Sequence, residues 1–229
     1  MTAQQPHPSH PLTALDIPCQ GLLFDNDGVL VDSDHGVDQA WSQWARDRDL
    51  PPEQVTTMVH GRRSADTVAL LVTDPKERGA ALAAIDRLEV EAAATTTALP
   101  GARDFLTSLP YDRWAVVTSG VTALARARLA AAGLPTPPVL ITADDVSHGK
   151  PAPDGYRTAA DKLGFAPART VVFEDSTAGA KAGAAAGAIV IGVGQRGLAT
   201  DATFVVRDLR GLTWHDGVIS LAAADLLRF

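Results

Sequence analysis

Gln20-Gly21-Leu22-Leu23-Phe24-Asp25-Asn26-Asp27-Gly28-Val29-Leu30 decides the reading of this chain. The apolar run over 20–24 predicts a buried strand of a parallel sheet, because strands covered on both faces read as continuous hydrophobic stretches. Side chains alternate along a strand, so Asp25 and Asp27 point the same way at its exit. Two carboxylates held together repel, and a metal ion or a shared proton is the usual compensation. An ordinary strand-to-turn junction, with Asp27-Gly28 as turn residues, is the plainer alternative. A calcium loop of the EF-hand type fits poorly: Gly28 follows Asp27 directly, and residue 34, where that loop needs Glu, is Asp.

Working outward, 229 residues suit one large domain or a core with a smaller companion. The net charge of −7, without a Lys/Arg cluster, disfavours nucleic acid, whose phosphates need a basic face. No apolar run approaches the ~18 residues of a membrane span. Residues 1–12 are polar and Pro/His-rich, unlike a secretory signal. Residues 1–16 are expected as a disordered tail, in which His7 and His10 carry no role. Cys19 is the sole cysteine, which leaves no internal disulfide and no Cys-rich zinc site and agrees with a reducing, cytoplasmic setting.

Beyond the first strand, residues 36–98 show no convincing strand. Val37, Ala40, Trp41, Trp44 and Ala45 follow helical spacing. Pro51-Pro52 ends that helix and can open another, and 64–72 and 76–94 again read as helical. From Pro100-Gly101 onward, β-branched runs at 114–118, 139–142, 170–174, 188–192 and 203–206 alternate with helical stretches at 121–132, 154–163 and 177–186. That alternation predicts an α/β fold, a Rossmann-like parallel sheet flanked by helices. The strand at 20–24 belongs to the same sheet, so 17–32 and 99–229 form the core and 33–98 an inserted all-helical cap. Such a cap would cover the carboxyl ends of the strands, where open α/β sheets bind ligands.

Four features gather at those strand ends: Asp25/Asp27; Val116-Val117-Thr118-Ser119-Gly120, hydroxyls and a Gly before a helix; Gly149-Lys150-Pro151, a positioned lysine; and Val171-Val172-Phe173-Glu174-Asp175-Ser176, a strand running into two acids. Each has an ordinary structural reading alone, as an N-cap or a surface Lys. Together, hard oxygens with a lysine and a hydroxyl suit Mg²⁺ and a phosphate group.

In this order the four features resemble the haloacid dehalogenase superfamily of phosphohydrolases, over residues 20–195, and the position of the insertion resembles its helical-cap (C1-type) subclass. The resemblance implies that Asp25 is the nucleophile that takes the phosphoryl group, and that Asp27 is the general acid and then base. It implies that Thr118 and Lys150 grip the phosphoryl group beside Asn26, Ser119 and Gly120. It implies Mg²⁺ held by Asp25, Asp27, Glu174 and Asp175. His60, Arg62 and Arg63, between two cap helices, would reach the substrate, and Asp34-His35 could line the cavity. The core motifs look like those of glycerol-3-phosphate and 2-deoxyglucose-6-phosphate phosphatases, implying a small phosphorylated sugar or polyol as partner and a monomer or weak homodimer. A β-phosphoglucomutase-like mutase shares all four motifs and stays open, as does a non-catalytic phosphate binder. Gly192-Val193-Gly194-Gln195-Arg196-Gly197 matches a dinucleotide fingerprint, but a strand near Thr203 leaves no room for the helix that fingerprint needs.

Overall fold

A computed structural model describes residues 14–228. In chain order the elements are β1 (Ala14–Pro18), β2 (Gly21–Phe24), β3 (Val31–Asp32), α1 (Asp34–Arg46), α2 (Pro52–Val59), α3 (Ser64–Leu71), α4 (Arg78–Ala92), β4 (Thr97–Ala98), α5 (Ala102–Ser108), β5 (Trp114–Val117), α6 (Thr122–Ala131), β6 (Val139–Ile141), α7 (Asp154–Leu163), β7 (Thr170–Glu174), α8 (Thr177–Ala186), β8 (Ile189–Val193), α9 (Gly194–Gly197), β9 (Phe204–Val206), β10 (Leu212–His215), β11 (Val218–Ala222) and β12 (Leu226–Arg228).

The main sheet runs β12-β9-β8-β7-β2-β5-β6 and is parallel except for β12 at its edge. Alternation along β2 explains why both faces are covered. Leu22 and Phe24 join a core with Phe105 and Leu106 of α5, while Leu23 joins another with Tyr156 and Ala159 of α7 and Ala180 of α8. The rings of Phe24 and Phe173 stack at 4.9 Å, tying β2 to β7. From β2 the chain moves outward through β5 and β6, then returns to the other side of β2 as β7. The carboxyl ends of β2, β5 and β7 therefore flank the point where strand order reverses, the crevice that binds ligands in open α/β sheets.

Helices α1–α4 form a unit with its own core, built on Trp41, Trp44, Val68 and Ile85. Trp44 is fully buried, and its indole N–H is satisfied by the Ala81 carbonyl at 2.8 Å. The unit leaves and rejoins the sheet through β3 and β4, which pair antiparallel, Val31 opposite Ala98 and Asp32 opposite Thr97. Thr97–Ala98 is thus a strand inside the stretch expected to hold none.

Three other expectations change. Residues 14–16 lie not in a disordered tail but in β1, which pairs with β11 in a small antiparallel sheet, β1-β11-β10. The rest of the expected tail, with His7 and His10, lies outside the described residues. The β10–β11 hairpin and β12 were not anticipated, although Asp216-Gly217 between alternating residues is a hairpin signal; both have positive φ, 47° and 81°, as a type I′ turn needs. And α9 is a helical turn where none was expected. Among the described residues, no helix is long and apolar enough to cross a membrane.

Candidate active site

Each strand end delivers its side chain because β2, β5 and β7 stop in register. Asp25 follows Phe24 directly, and its N–H donates to the Phe173 carbonyl of β7 at 3.0 Å. Glu174, the last residue of β7, is fully buried. Between them lies the ammonium of Lys150, 2.7 Å from Asp25 Oδ1, 2.5 Å from Glu174 Oε1 and 3.4 Å from the Val117 carbonyl. The Tyr156 hydroxyl also donates to Glu174 Oε1, at 2.7 Å. Glu174 Oε2 accepts from the N–H and hydroxyl of Ser176, and that hydroxyl in turn caps α8 by accepting from Gly179 N–H at 3.0 Å. A side chain at Gly179 would collide with the Glu174 carboxylate, so the bareness of α8 there is what admits the acid.

Burial penalises charge here, and the neighbours decide who keeps it. Burial, then the negative Glu174, push Asp25 well above the usual carboxylate range, with Lys150 opposing. Burial alone would lower Lys150, but Asp25 and Glu174 outweigh it and hold the ammonium charged. Burial and Glu174 raise Asp175 to about 7 against Arg196 and Lys150.

Asp27 faces the same cavity, held by different partners. Its Oδ1 accepts from Ser33 at 2.6 Å and lies 3.0 Å from the Arg128 guanidinium. Its Oδ2 accepts from Asn26 at 3.3 Å and lies 3.5 Å from the Thr118 hydroxyl. Arg128, from α6, reaches on to Glu89 of α4 at 3.4 Å, and Ser64 donates to Glu89 at 2.8 Å. Beside Asp25, Gly28 has φ +80° and a side chain there would strike Asp175, a close approach that requires glycine.

One carboxylate oxygen from each of Asp25, Glu174 and Asp175 falls within 4.8 Å of the others. Both Glu174 oxygens are already engaged by four donors, whereas Asp25 and Asp175 each keep one oxygen without a hydrogen-bond partner among the described residues. Hard, buried oxygens of this kind fit Mg²⁺, with Asp25 and Asp175 free to ligate and Glu174 fixing their surroundings.

Of the other expected site residues, Thr118 accepts from Gly120 N–H at 3.1 Å, and the Ser119 hydroxyl donates to the Gly61 carbonyl of the helical unit at 3.2 Å. His60 and Arg62 line the cavity above Asp25, as does Asp34. Arg63 lines an adjoining pocket with Thr118, Ser119 and Lys150; there it pairs with Asp66 at 2.8 Å and donates to the Ser147 carbonyl at 3.2 Å, fastening the helical unit to a core loop. Sequence reasoning missed Ser33, Ser64, Glu89, Arg128, Tyr156 and Arg196. Most sit inside helices, where a charged residue reads as a solvated face. Arg196 lies in the glycine-rich run set aside above; its one-turn helix aims the guanidinium at Asp175 (2.8 Å) and Asp34 (3.1 Å).

This arrangement can be set beside known proteins. Residues 19–187 match the model of the haloacid dehalogenase-like hydrolase family. The chain is 47% identical to hexitol phosphatase A of Escherichia coli over 180 residues, 76% of this chain and 83% of that one. It is 31% identical to glycerol-1-phosphate phosphohydrolase 2 of Saccharomyces cerevisiae, over 78% of this chain and 76% of the relative. In fold it superposes on β-phosphoglucomutase from Clostridium difficile with a TM-score of 0.75 at 20% identity, covering 86% of this chain and 94% of that one. The chain belongs to the haloacid dehalogenase-like hydrolases, as an enzyme of the phosphatase kind.

Proposed function

We propose that this enzyme is a Mg²⁺-dependent phosphatase of small polyol or sugar phosphates, working through a phosphorylated Asp25. The observation that carries the reading is the Asp25–Lys150–Glu174 bridge with Asp27 beside it, at the carboxyl end of β2. In the first step a carboxylate oxygen of Asp25 bonds to phosphorus, the ester P–O bond breaks, and Asp27 gives its proton to the departing alkoxide. In the second, Asp27 takes a proton from water, the oxygen attacks phosphorus, and the bond to Asp25 breaks to release inorganic phosphate. Lys150 and Thr118 hold phosphoryl oxygens, and Glu174 keeps Lys150 in place. Asp25 and Asp175 would hold Mg²⁺, which would supply charge neutralisation for the phosphoryl group.

Helices α1–α4 serve as a cap domain on the core, with residues near 32–36 and 95–101 as hinges. The cavity below it is about 60 Å³, room for only a handful of waters, so a polyol phosphate enters when the cap lifts. The polyol-phosphate class is supported by two of the relatives named above, hexitol phosphatase A and glycerol-1-phosphate phosphohydrolase 2.

The test is a panel of sugar and polyol monophosphates assayed for inorganic phosphate with Mg²⁺, beside Asp25→Asn and a chelator. Turnover is expected with the wild type alone. Interconversion of isomers without net phosphate release would point to a mutase, and equal inactivity of wild type and variant to a binder.

A further inference from the structure

The cavity has two chemically different ends. Near Asp25 it is built for phosphate. One guanidinium's width away, past Arg128, it ends at Ser64 and Glu89. Glu89 is a carboxylate on a cap helix, 95% removed from solvent, and a buried acid without a full set of partners is costly. Its contacts are thin: one hydrogen bond from Ser64 at 2.8 Å and one long approach by Arg128 at 3.4 Å. Arg128 is equally buried, is shared between Glu89 and Asp27, and its Nε has no partner among the described residues. A carboxylate acceptor and a hydroxyl therefore border one small space beside the Arg128 guanidinium, with Leu124 and Trp41 in its apolar lining.

The cations that could receive a second anionic group at this end are committed elsewhere. Arg63 is held by Asp66 and by the Ser147 carbonyl, and Arg128 already balances two acids. Arg62 lies exposed at the mouth. A second phosphate or a carboxylate buried here would face Glu89 in a medium that screens poorly, whereas neutral hydroxyls can donate to Glu89 and accept from Arg128.

Resting on the phosphatase reading above, we propose that Ser64, Glu89 and Arg128 form the hydroxyl-reading end of the substrate cavity. Glu89 is its specificity-determining residue: it favours monophosphates whose far end carries hydroxyls and rejects esters bearing a second anionic group there. A hydrogen bond to a charged group contributes ~1.5–3 kcal/mol, which sets the scale of discrimination at roughly tenfold or more.

The experiment compares kcat/KM for a hexitol monophosphate, a sugar bisphosphate, phosphoglycolate and acetyl phosphate in the wild type and in Glu89→Gln. The wild type is expected to prefer the hexitol ester at least tenfold over both the sugar bisphosphate and phosphoglycolate, whose far ends are anionic. In Glu89→Gln that preference should shrink roughly tenfold, through KM for the hexitol ester more than through kcat. Equal wild-type turnover of phosphoglycolate or the bisphosphate, or an unchanged preference in a folded Glu89→Gln, overturns the inference. If that variant does not fold, Ser64→Ala takes its place: its hexitol-to-acetyl phosphate ratio should fall, and an unchanged ratio overturns the assignment. Acetyl phosphate separates the two levels. A wild type without this selectivity, or a selectivity unchanged in Glu89→Gln, with Mg²⁺- and Asp25-dependent acetyl phosphate hydrolysis intact refutes the role of Glu89 alone, whereas no acetyl phosphate hydrolysis at all refutes the phosphatase reading beneath it.

Discussion

Replacing Lys150 by Met keeps a long apolar stem but removes the ammonium that Asp25 and Glu174 share. The side chain is 7% exposed, Glu174 not at all, and the two contacts are 2.7 and 2.5 Å. Removing one partner of a buried pair costs about 3–5 kcal/mol, because the partner left behind is an uncompensated charge. For a protein of this length that is a fall in Tm of about 6–20 °C. Proton uptake limits the damage. Lys150 is the neighbour that holds the Asp25 carboxyl down against burial and the surrounding acids, so without it Asp25 rises further. Protonation makes Asp25 a far weaker nucleophile toward phosphorus, and the phosphoryl group loses a cation as well, so kcat should fall by about 10³-fold. Phosphate release and thermal unfolding of Lys150→Met measure both effects. Lys150→Met/Glu174→Gln separates them: deleting the stranded charge should recover part of the stability and none of the activity. A folded Lys150→Met within tenfold of wild-type kcat would refute the role assigned to the bridge.

Three further outcomes follow from the geometry. Gly179→Ala drives a methyl into the Glu174 carboxylate, so it should lower stability by about 1–3 kcal/mol and cut turnover despite the better helix propensity of Ala; a Tm at or above wild type counts against the close fit. Burial, then Glu174, hold the Asp175 carboxyl at about 7, so an acid that must ionise to ligate should make the Mg²⁺-induced rise in Tm larger at pH 8 than at pH 6, and a pH-independent rise would discard Asp175 as ligand. Without metal the sign reverses: the folded chain keeps this proton while the unfolded one has lost it, so stability falls as pH climbs from about 4 to 7. Cys19 is buried and its thiol is pushed up to about 11 by that burial, so a thiol reagent at pH 8 should label it only on unfolding; rapid native-state labelling would show the β1–β2 corner to be open.

What could be read from residue types was what has a local signature. Leu22-Leu23-Phe24 and Val171-Val172-Phe173 announce fully buried strands, and acids directly after them announce the end of the sheet that faces the ligand. The Trp41/Trp44 spacing announced a helix that buries both indoles. What escaped has no such local mark. Whether Arg128 faces water or Asp27 depends on how α6 meets α4 of another unit, 39 residues away in sequence from Glu89. Arg196 sits in the glycine run rejected as a dinucleotide loop because a strand follows, and nothing local to that run shows that its side chain turns back to Asp175 and Asp34. β1 pairs with β11, near the opposite end of the chain, and an isolated run such as Ala14–Pro18 gives no hint of so distant a partner. Arg63 carried the right charge beside the right helix, yet Asp66, one turn on, competes for it at 2.8 Å.

The charges of the site explain why the chain's own residues are not enough for a phosphate ester. Asp25, Asp27, Glu174 and Asp175 are balanced directly by Lys150, Arg128 and Arg196. Two of those cations are also spent on outer acids, Arg128 on Glu89 and Arg196 on Asp34. Three positive groups thus face six carboxylates, and the entering phosphate adds negative charge to a surplus already present. Burial first, and then the neighbouring Glu174, raise Asp25 and Asp175, so that charge on either carboxyl is disfavoured. A divalent cation relieves the surplus without protonating the nucleophile. On the phosphatase reading, this acidic excess is what would couple phosphate binding to metal binding, since a divalent cation would offset both the carboxylates and the entering phosphate.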